Sequence, residues 1–221
     1  MTLGRRAVAE AIGTALLLAA VVGSGIMGER LAGGNDAIAL LANAIATGCV
    51  LVALIAALGD ISGAHFNPVV TFAMAGRGQL RWAHVGPYLA AQVVGALIGV
   101  MLAHRMFDLP MVQISEKART SMGQWLSEAI ATFGLLLVIL SGLRTKATTM
   151  PFLVAAYITA AYWFTASTSF ANPAVTLARS LTNTFAGISP NSILPFIAAQ
   201  ALGGFAALSV DGYLHGERDV V

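Results

Sequence analysis

Apolar residues fall into six long runs, at roughly 7–28, 37–59, 82–104, 123–143, 147–166 and 191–212. A helix needs about 20 apolar residues to cross a hydrocarbon core of about 30 Å, so each run predicts a membrane-spanning helix. The first run carries Glu10 and the fourth carries Glu128; the other four read as essentially uncharged in their cores. Charge collects between the runs instead, at Glu29, Arg30 and Asp36, at Arg77 and Arg81, from Arg105 to Arg119, at Arg144 and Lys146, and in the tail Glu217-Arg218-Asp219.

Two further apolar stretches are too short to span. Ser62-Gly63-Ala64-His65-Phe66-Asn67-Pro68-Val69-Val70-Thr71 lies in the first half and Thr168-Ser169-Phe170-Ala171-Asn172-Pro173-Ala174-Val175-Thr176 in the second. Asn suits a helix N-cap, because its side-chain oxygen accepts from first-turn N–H groups, and Pro suits the first helical position. Helices from Asn67 to about Ala75 and from Asn172 to about Ser180 would be only about 13 Å long at 1.5 Å per residue. Short, apolar and capped, they predict re-entrant half-helices, which a membrane tolerates only where they are buried or line a cavity.

The landmarks recur in order. Glu10-Ala11-Ile12-Gly13-Thr14 matches Glu128-Ala129-Ile130-Ala131-Thr132, and Gln92-Val93-Val94-Gly95-Ala96 matches Gln200-Ala201-Leu202-Gly203-Gly204. Three spans per half is an odd number, so the second half enters from the opposite side. That predicts one domain over residues 1–221 built from inverted repeats at approximately 1–108 and 120–215, with a site at the midplane where they meet.

Composition agrees: 57% of residues are apolar and 10% charged, against roughly 25% charged in soluble domains. A net charge of +2, with no basic run, gives no reason to expect a nucleic-acid partner. Glu10 and the absence of a small-x-small exit before Gly28 mark the first run as a retained span rather than a signal peptide. Termini on the cytoplasmic side would put seven Lys/Arg residues inside (Arg5, Arg6, Arg77, Arg81, Arg144, Lys146, Arg218) and five outside (Arg30, Arg105, Lys117, Arg119, Arg179), the sense of the positive-inside rule. The single cysteine, Cys49, reads as core packing. His84, His104 and His215 show no metal-ligand spacing, and neither a nucleotide loop, a nucleophile elbow nor a catalytic carboxylate pair is present. No cofactor, metal or enzymatic activity is expected.

In these motifs and their order the chain resembles the aquaporin/major intrinsic protein family, most closely bacterial aquaglyceroporin-like members that lack the filter arginine. The resemblance rests on Glu-x-x-x-Thr early in each half, on the stretch from Ser62 to Thr71, and on Asn172-Pro173-Ala174; Val69 departs from the alanine usual in the first motif. It implies an all-α membrane protein of six transmembrane helices and two re-entrant half-helices, one pore per subunit, and a homotetramer in the inner or plasma membrane. It also implies small neutral solutes and the lipid bilayer as partners. Asn67, Pro68, Val69, Asn172, Pro173 and Ala174 would form the pore midplane. There the asparagine oxygens cap their own helices and leave the NH₂ donors facing the pore.

The family builds its outer filter from four positions, which fall here on Thr47, Ala160, Ser169 and Val175. Val175 stands where the family has arginine. The expected filter is therefore small, uncharged and wide, with neither ring nor guanidinium, and suited to glycerol, urea or undissociated metalloid acids such as arsenite, with or without water. Arg179, one turn beyond Val175, either returns a positive charge to the outer mouth, or snorkels to headgroups or caps a loop. Glu10 and Glu128 are assigned to holding the two re-entrant loops, with proton relay as the alternative. His65 is either a packed loop histidine or a pH-sensitive group. Against the passive channel stand a coupled transporter built on an inverted repeat and a closed structural membrane protein.

Overall fold

A computed structural model of the chain describes residues 1–145 and 147–216. It is helical, with no strand among those residues. The helices are α1 (Leu3–Leu31), α2 (Asp36–Ser62), α3 (Pro68–Gly76), α4 (Trp82–Met106), α5 (Met122–Thr145), α6 (Met150–Phe164), α7 (Pro173–Ala178) and α8 (Ile193–His215). Five of them, α1, α2, α4, α5 and α8, are long and apolar enough to cross a membrane. The helix at the fifth predicted span, α6, has 15 residues. It ends at Phe164, where Thr165 turns to extended backbone to begin the second re-entrant loop. The charges assigned to Lys146, Glu217, Arg218 and Asp219 lie outside the described residues.

Both short helices form as the Asn-Pro signal requires. The Asn67 side-chain oxygen accepts from Val69 N at 3.0 Å, and that of Asn172 accepts from Ala174 N at 3.0 Å and Val175 N at 3.3 Å. Each proline follows its cap at the first helical position. In the second stretch α7 stops at Ala178, and Arg179–Leu181 tightens into a 3₁₀ turn.

The packing pairs equivalent helices. α1 packs chiefly on α4 and α2, α5 on α8, and α2 faces α6. Glycine allows the closest approaches: a Cβ on Gly95 would lie 2.2 Å from the Ala11 carbonyl oxygen, and one on Gly203 would lie 2.1 Å from that of Ala129. Small residues at helix crossings are the usual way membrane helices gain van der Waals contact. Outward faces carry exposed Ile12, Leu16, Ile45, Leu202 and Phe205, as lipid contact demands. Cys49 is exposed as well, so the expectation of core packing does not hold. The sixth run is not charge-free either. Asp211 is fully buried in α8 and pairs with Arg77, with Arg144 at 2.8 Å and with His215 at 2.9 Å. It thereby ties the ends of α3, α5 and α8 together.

Candidate functional site

Each half builds the same hydrogen-bonded frame around its short helix. In the first, Glu10 on α1 accepts from Ser62 Oγ (2.7 Å), His65 N (2.9 Å), Phe66 N (2.7 Å) and Gln92 Nε2 (2.7 Å). In the second, Glu128 on α5 accepts from Phe170 N (2.8 Å), Ala171 N (2.9 Å) and Gln200 Nε2 (2.6 Å). Gln92 and Gln200 each give a second bond to the threonine of their half-helix, Thr71 at 2.9 Å and Thr176 at 2.8 Å. The frame holds backbone that would not adopt this shape unaided, since Ala64, Phe66, Thr168, Ser169 and Ala171 all have positive φ. Non-glycine residues there cost about 1–3 kcal/mol each unless surroundings hold them. Buried carboxylates accepting several backbone N–H groups supply that hold. The scaffold expectation for Glu10 and Glu128 thus has a direct geometric counterpart. Gln92 and Gln200 take part in it too, although sequence reading used them only as landmarks. Both are polar residues in apolar spans, and that was the available signal.

The two short helices meet through their caps. Asn67 Nδ2 donates to the Ala171 carbonyl and Asn172 Nδ2 donates to the Phe66 carbonyl, each at 2.7 Å. An amide NH₂ has two hydrogens. The expectation that both face the pore is therefore corrected: one locks the opposite loop and one per asparagine remains. Both asparagines line a cavity of about 180 Å³. Pro68, Pro173 and Ala174 do not. They line a separate apolar groove on the other side of the short helices, and Val69 packs against α8 at Gly204.

The cavity wall is drawn from helix faces at four-residue spacing. These are Leu17 and Val21 on α1; Thr47, Leu51 and Ile55 on α2; Leu135, Ile139 and Leu143 on α5; and Met150, Val154, Ile158 and Tyr162 on α6. Inside them run Asn67, Val70 and Met74 from one short helix and Asn172, Val175 and Arg179 from the other. The lining passes from Met74, Leu143 and Met150 at one end, through the two asparagines, to Tyr162, Val175 and Arg179 at the other. It is an apolar passage with a polar waist.

Thr47, Ser169 and Val175 all line it, but Ala160 does not. Ala160 is exposed on the outer face of α6. Tyr162, two residues or about 200° further round the helix, takes the place expected for it and bonds Thr47 Oγ1 at 3.1 Å. Counting back from Asn172 misplaced this position: the cavity-facing side of α6 repeats through Met150, Val154, Ile158 and Tyr162, and Ala160 falls between its members. Arg179 also lines the cavity; it is buried, its Nε donates to the Ala186 carbonyl, and its guanidinium carbon lies 3.5 Å from the Phe170 ring centroid. A cavity with neither ring nor guanidinium is therefore not what the chain builds; both come from other positions.

Arg119, counted in the sequence as a loop cation, is buried beside the same ring and donates to the carbonyls of Gly187 (3.1 Å) and Ser167 (2.9 Å). Burial pushes its guanidinium down to about 10, opposed by the charge of Glu128, so it stays charged at neutral pH. His65 lines the cavity with Nδ1 3.1 Å from Thr71 Oγ1 and its ring against Tyr88. Among the described residues no group of three or more His, Cys, Asp or Glu is placed to hold a metal.

Residues 1–165 match the family model described as Major intrinsic protein. The chain belongs to the major intrinsic protein family. It is 56% identical to "Aquaglyceroporin AqpS" of Rhizobium meliloti (strain 1021), over 96% of this chain and 91% of that one. It is 37% identical to the "Glycerol uptake facilitator protein" of Bacillus subtilis (strain 168), over 38% of this chain and 35% of that one. Its fold is that of the aquaglyceroporin from Plasmodium falciparum, with TM-score 0.77 and 20% identity over 97% and 98% of the two chains. As a member of this family the protein is a membrane channel for small solutes and not an enzyme. The family match ends before the second Asn-Pro loop.

Proposed function

We infer that the protein is a passive pore for small uncharged solutes: glycerol-sized polyols, urea and undissociated metalloid acids such as arsenite, with or without water. The observation that carries this reading is a cavity whose apolar wall is interrupted at mid-height by Asn67 and Asn172. A neutral solute that sheds water there regains hydrogen bonds from the free amide hydrogens. A cation meets the positive ends of two half-helices, a device that excludes cations in aquaporin-type pores. Val175 supports a size limit set by an apolar wall rather than a charged one, and the names of the Rhizobium and Bacillus relatives support polyols among the solutes. Glu10, Glu128 and His65 act as supports of the re-entrant loops. The working form is a homotetramer in the inner or plasma membrane with both termini cytoplasmic.

Proteoliposomes test this by stopped-flow light scattering with glycerol, urea and arsenous acid. The expected result is solute entry well above empty vesicles and unchanged when ionophores collapse proton and sodium gradients. Flux that depends on those gradients would mean a coupled transporter, and no flux of any solute would mean a closed protein.

A further inference from the structure

The two ends of the cavity differ in chemistry. Beyond the asparagine waist, the end bounded by Tyr162 and Arg179 carries hydrogen-bonding groups, whereas the opposite end is walled by Met74, Leu143 and Met150. Gln79, whose backbone N–H donates to the Met74 carbonyl at 2.9 Å, lines that end too. It is the end where the chain terminates: Arg77 and Arg144, close in sequence to Met74 and Leu143, both pair with Asp211 near the last turn of α8. Of the protein's eight methionines, Met74 and Met150 are the two that line the cavity. Met74 is 4% exposed, on the short helix α3. Met150 opens α6, and its thioether reaches across to α5: a Cβ built on Gly142 would stand 2.9 Å from the Met150 Cε and 3.4 Å from its Sδ. The sulfur thus fills a gap that glycine leaves beside Leu143. Leucine would wall such a passage with similar volume and no reactive atom. A thioether is as apolar but carries a sulfur lone pair that accepts oxygen. Cys49, the other sulfur type in the chain, lies outside the lining.

We propose that Met74 and Met150 are an oxidation site for hydrogen peroxide, and that their sulfoxides slow solute flow through this end of the cavity. The sulfur lone pair attacks one peroxide oxygen and the O–O bond breaks. The departing hydroxide takes the proton of the transferred hydroxyl and leaves as water. Sulfur is oxidised by two electrons and the peroxide is reduced. Hydrogen peroxide is small, uncharged and able both to donate and to accept hydrogen bonds, so it belongs to the class of solute assigned to this passage; the inference rests on that reading. Oxidation turns a flexible apolar side chain into a polar one. It sets a strong acceptor into a stretch where Leu143 and the two thioethers offer none. A hydroxylated solute leaving the asparagines is then held a second time, and conduction needs sites weak enough to leave. At Met150 the added oxygen also crowds the contact between α5 and α6 at Gly142.

The test uses proteoliposomes of the wild-type protein and of a Met74→Leu/Met150→Leu double variant, since leucine keeps the apolar volume and cannot take oxygen. Each is treated with excess hydrogen peroxide, cleared of it with catalase, and assayed for glycerol flux against its own untreated sample; peptide mass spectrometry locates the added oxygen. The expected result is one oxygen gained at Met74 and at Met150, and a wild-type flux about fivefold lower, the factor one added hydrogen bond supplies. The variant's flux should not respond to treatment, although its other methionines remain open to oxidation. Three outcomes each overturn the proposal: wild-type flux that survives oxidation of both sulfurs, both sulfurs still reduced when Met122, 74% exposed, is fully oxidised, or an equal loss of flux in the variant. If the double variant does not fold, a time course on the wild type decides. Loss of flux that follows oxygen gain at Met74 and Met150 supports the site, and loss that follows Met122 overturns it. Absence of glycerol flux in the untreated wild type overturns the channel reading itself; with that flux present, the failures above strike the oxidation site alone.

Discussion

Replacing Glu10 by glutamine changes one atom and should disable the first re-entrant loop. The carboxylate accepts four hydrogen bonds of 2.7–2.9 Å, two on each oxygen. An amide nitrogen cannot accept. Placed at the Oε1 position it faces Ser62 and the backbone N–H of His65; placed at Oε2 it faces Gln92 and the backbone N–H of Phe66. The Ser62 hydroxyl or the Gln92 amide can turn to adapt, but either orientation strands one backbone donor. A buried unpaired donor costs about 1–3 kcal/mol, and bonds to a neutral acceptor are worth roughly half of those to a charged one. The total is about 3–5 kcal/mol. At roughly 2–4 °C per kcal/mol for a chain of this size, that is a fall in Tm on the order of 10 °C. Glu128→Gln strands one donor too, Phe170 or Ala171, but weakens one bond fewer, so its fall should be somewhat smaller. Thermal unfolding in detergent and glycerol flux in proteoliposomes check both. A Glu10→Gln protein with wild-type Tm and wild-type flux would refute the idea that these carboxylates hold the loops.

Three other expectations follow from particular contacts. Gly203→Val should lower Tm by several degrees, because its Cβ would lie 2.1 Å from a main-chain oxygen and overpacking costs about 1–3 kcal/mol or more; Gly59→Ala, inside α2 with nothing within 4 Å, should leave Tm unlowered or raise it slightly in the same melt, since alanine favours a helix over glycine by up to about 1 kcal/mol. Cys49, the only cysteine, lies on the outward face near the middle of α2 and outside the cavity lining; a thiolate does not form readily in an apolar surrounding, so a charged, water-soluble maleimide should leave it largely unmodified in liposomes by mass spectrometry, and Cys49→Ala should keep the wild-type glycerol flux. Asp211→Asn should destabilise by about 1–3 kcal/mol, less than for a fully buried pair because both arginines are partly exposed; a thermal melt measures it, and a neutral result would mean the cluster does not hold α3, α5 and α8 together.

Much of this architecture is written in local pattern. Six apolar runs mark α1, α2, α4, α5, α6 and α8 to within a few residues, because burial in lipid requires unbroken apolar sequence. Asn-Pro marks the start of both half-helices, because capping is a local interaction. What stayed hidden depends on contacts between distant segments. Tyr162 enters the cavity, and Ala160 does not, because packing of α6 on α2 and α5 sets which of its faces turns inward. No count along the chain carries that packing. Asp211 went unnoticed because its arginine partners, Arg77 and Arg144, come from elements far away in the chain. Arg119 reads as an ordinary loop cation until Phe170 and the carbonyls of Ser167 and Gly187 close around it. The donors of Asn67 and Asn172 were half right for the same reason: each amide also serves the opposite loop.

The most direct measurement is the glycerol permeability of a Val175→Trp protein that retains wild-type Tm. Val175 is buried on the wall of the one cavity that contains both asparagines among the described residues, and an indole there would fill the passage. If solutes cross through this cavity, glycerol flux falls to the level of empty vesicles. Flux that persists at the wild-type rate would place the path elsewhere and contradict the assignment.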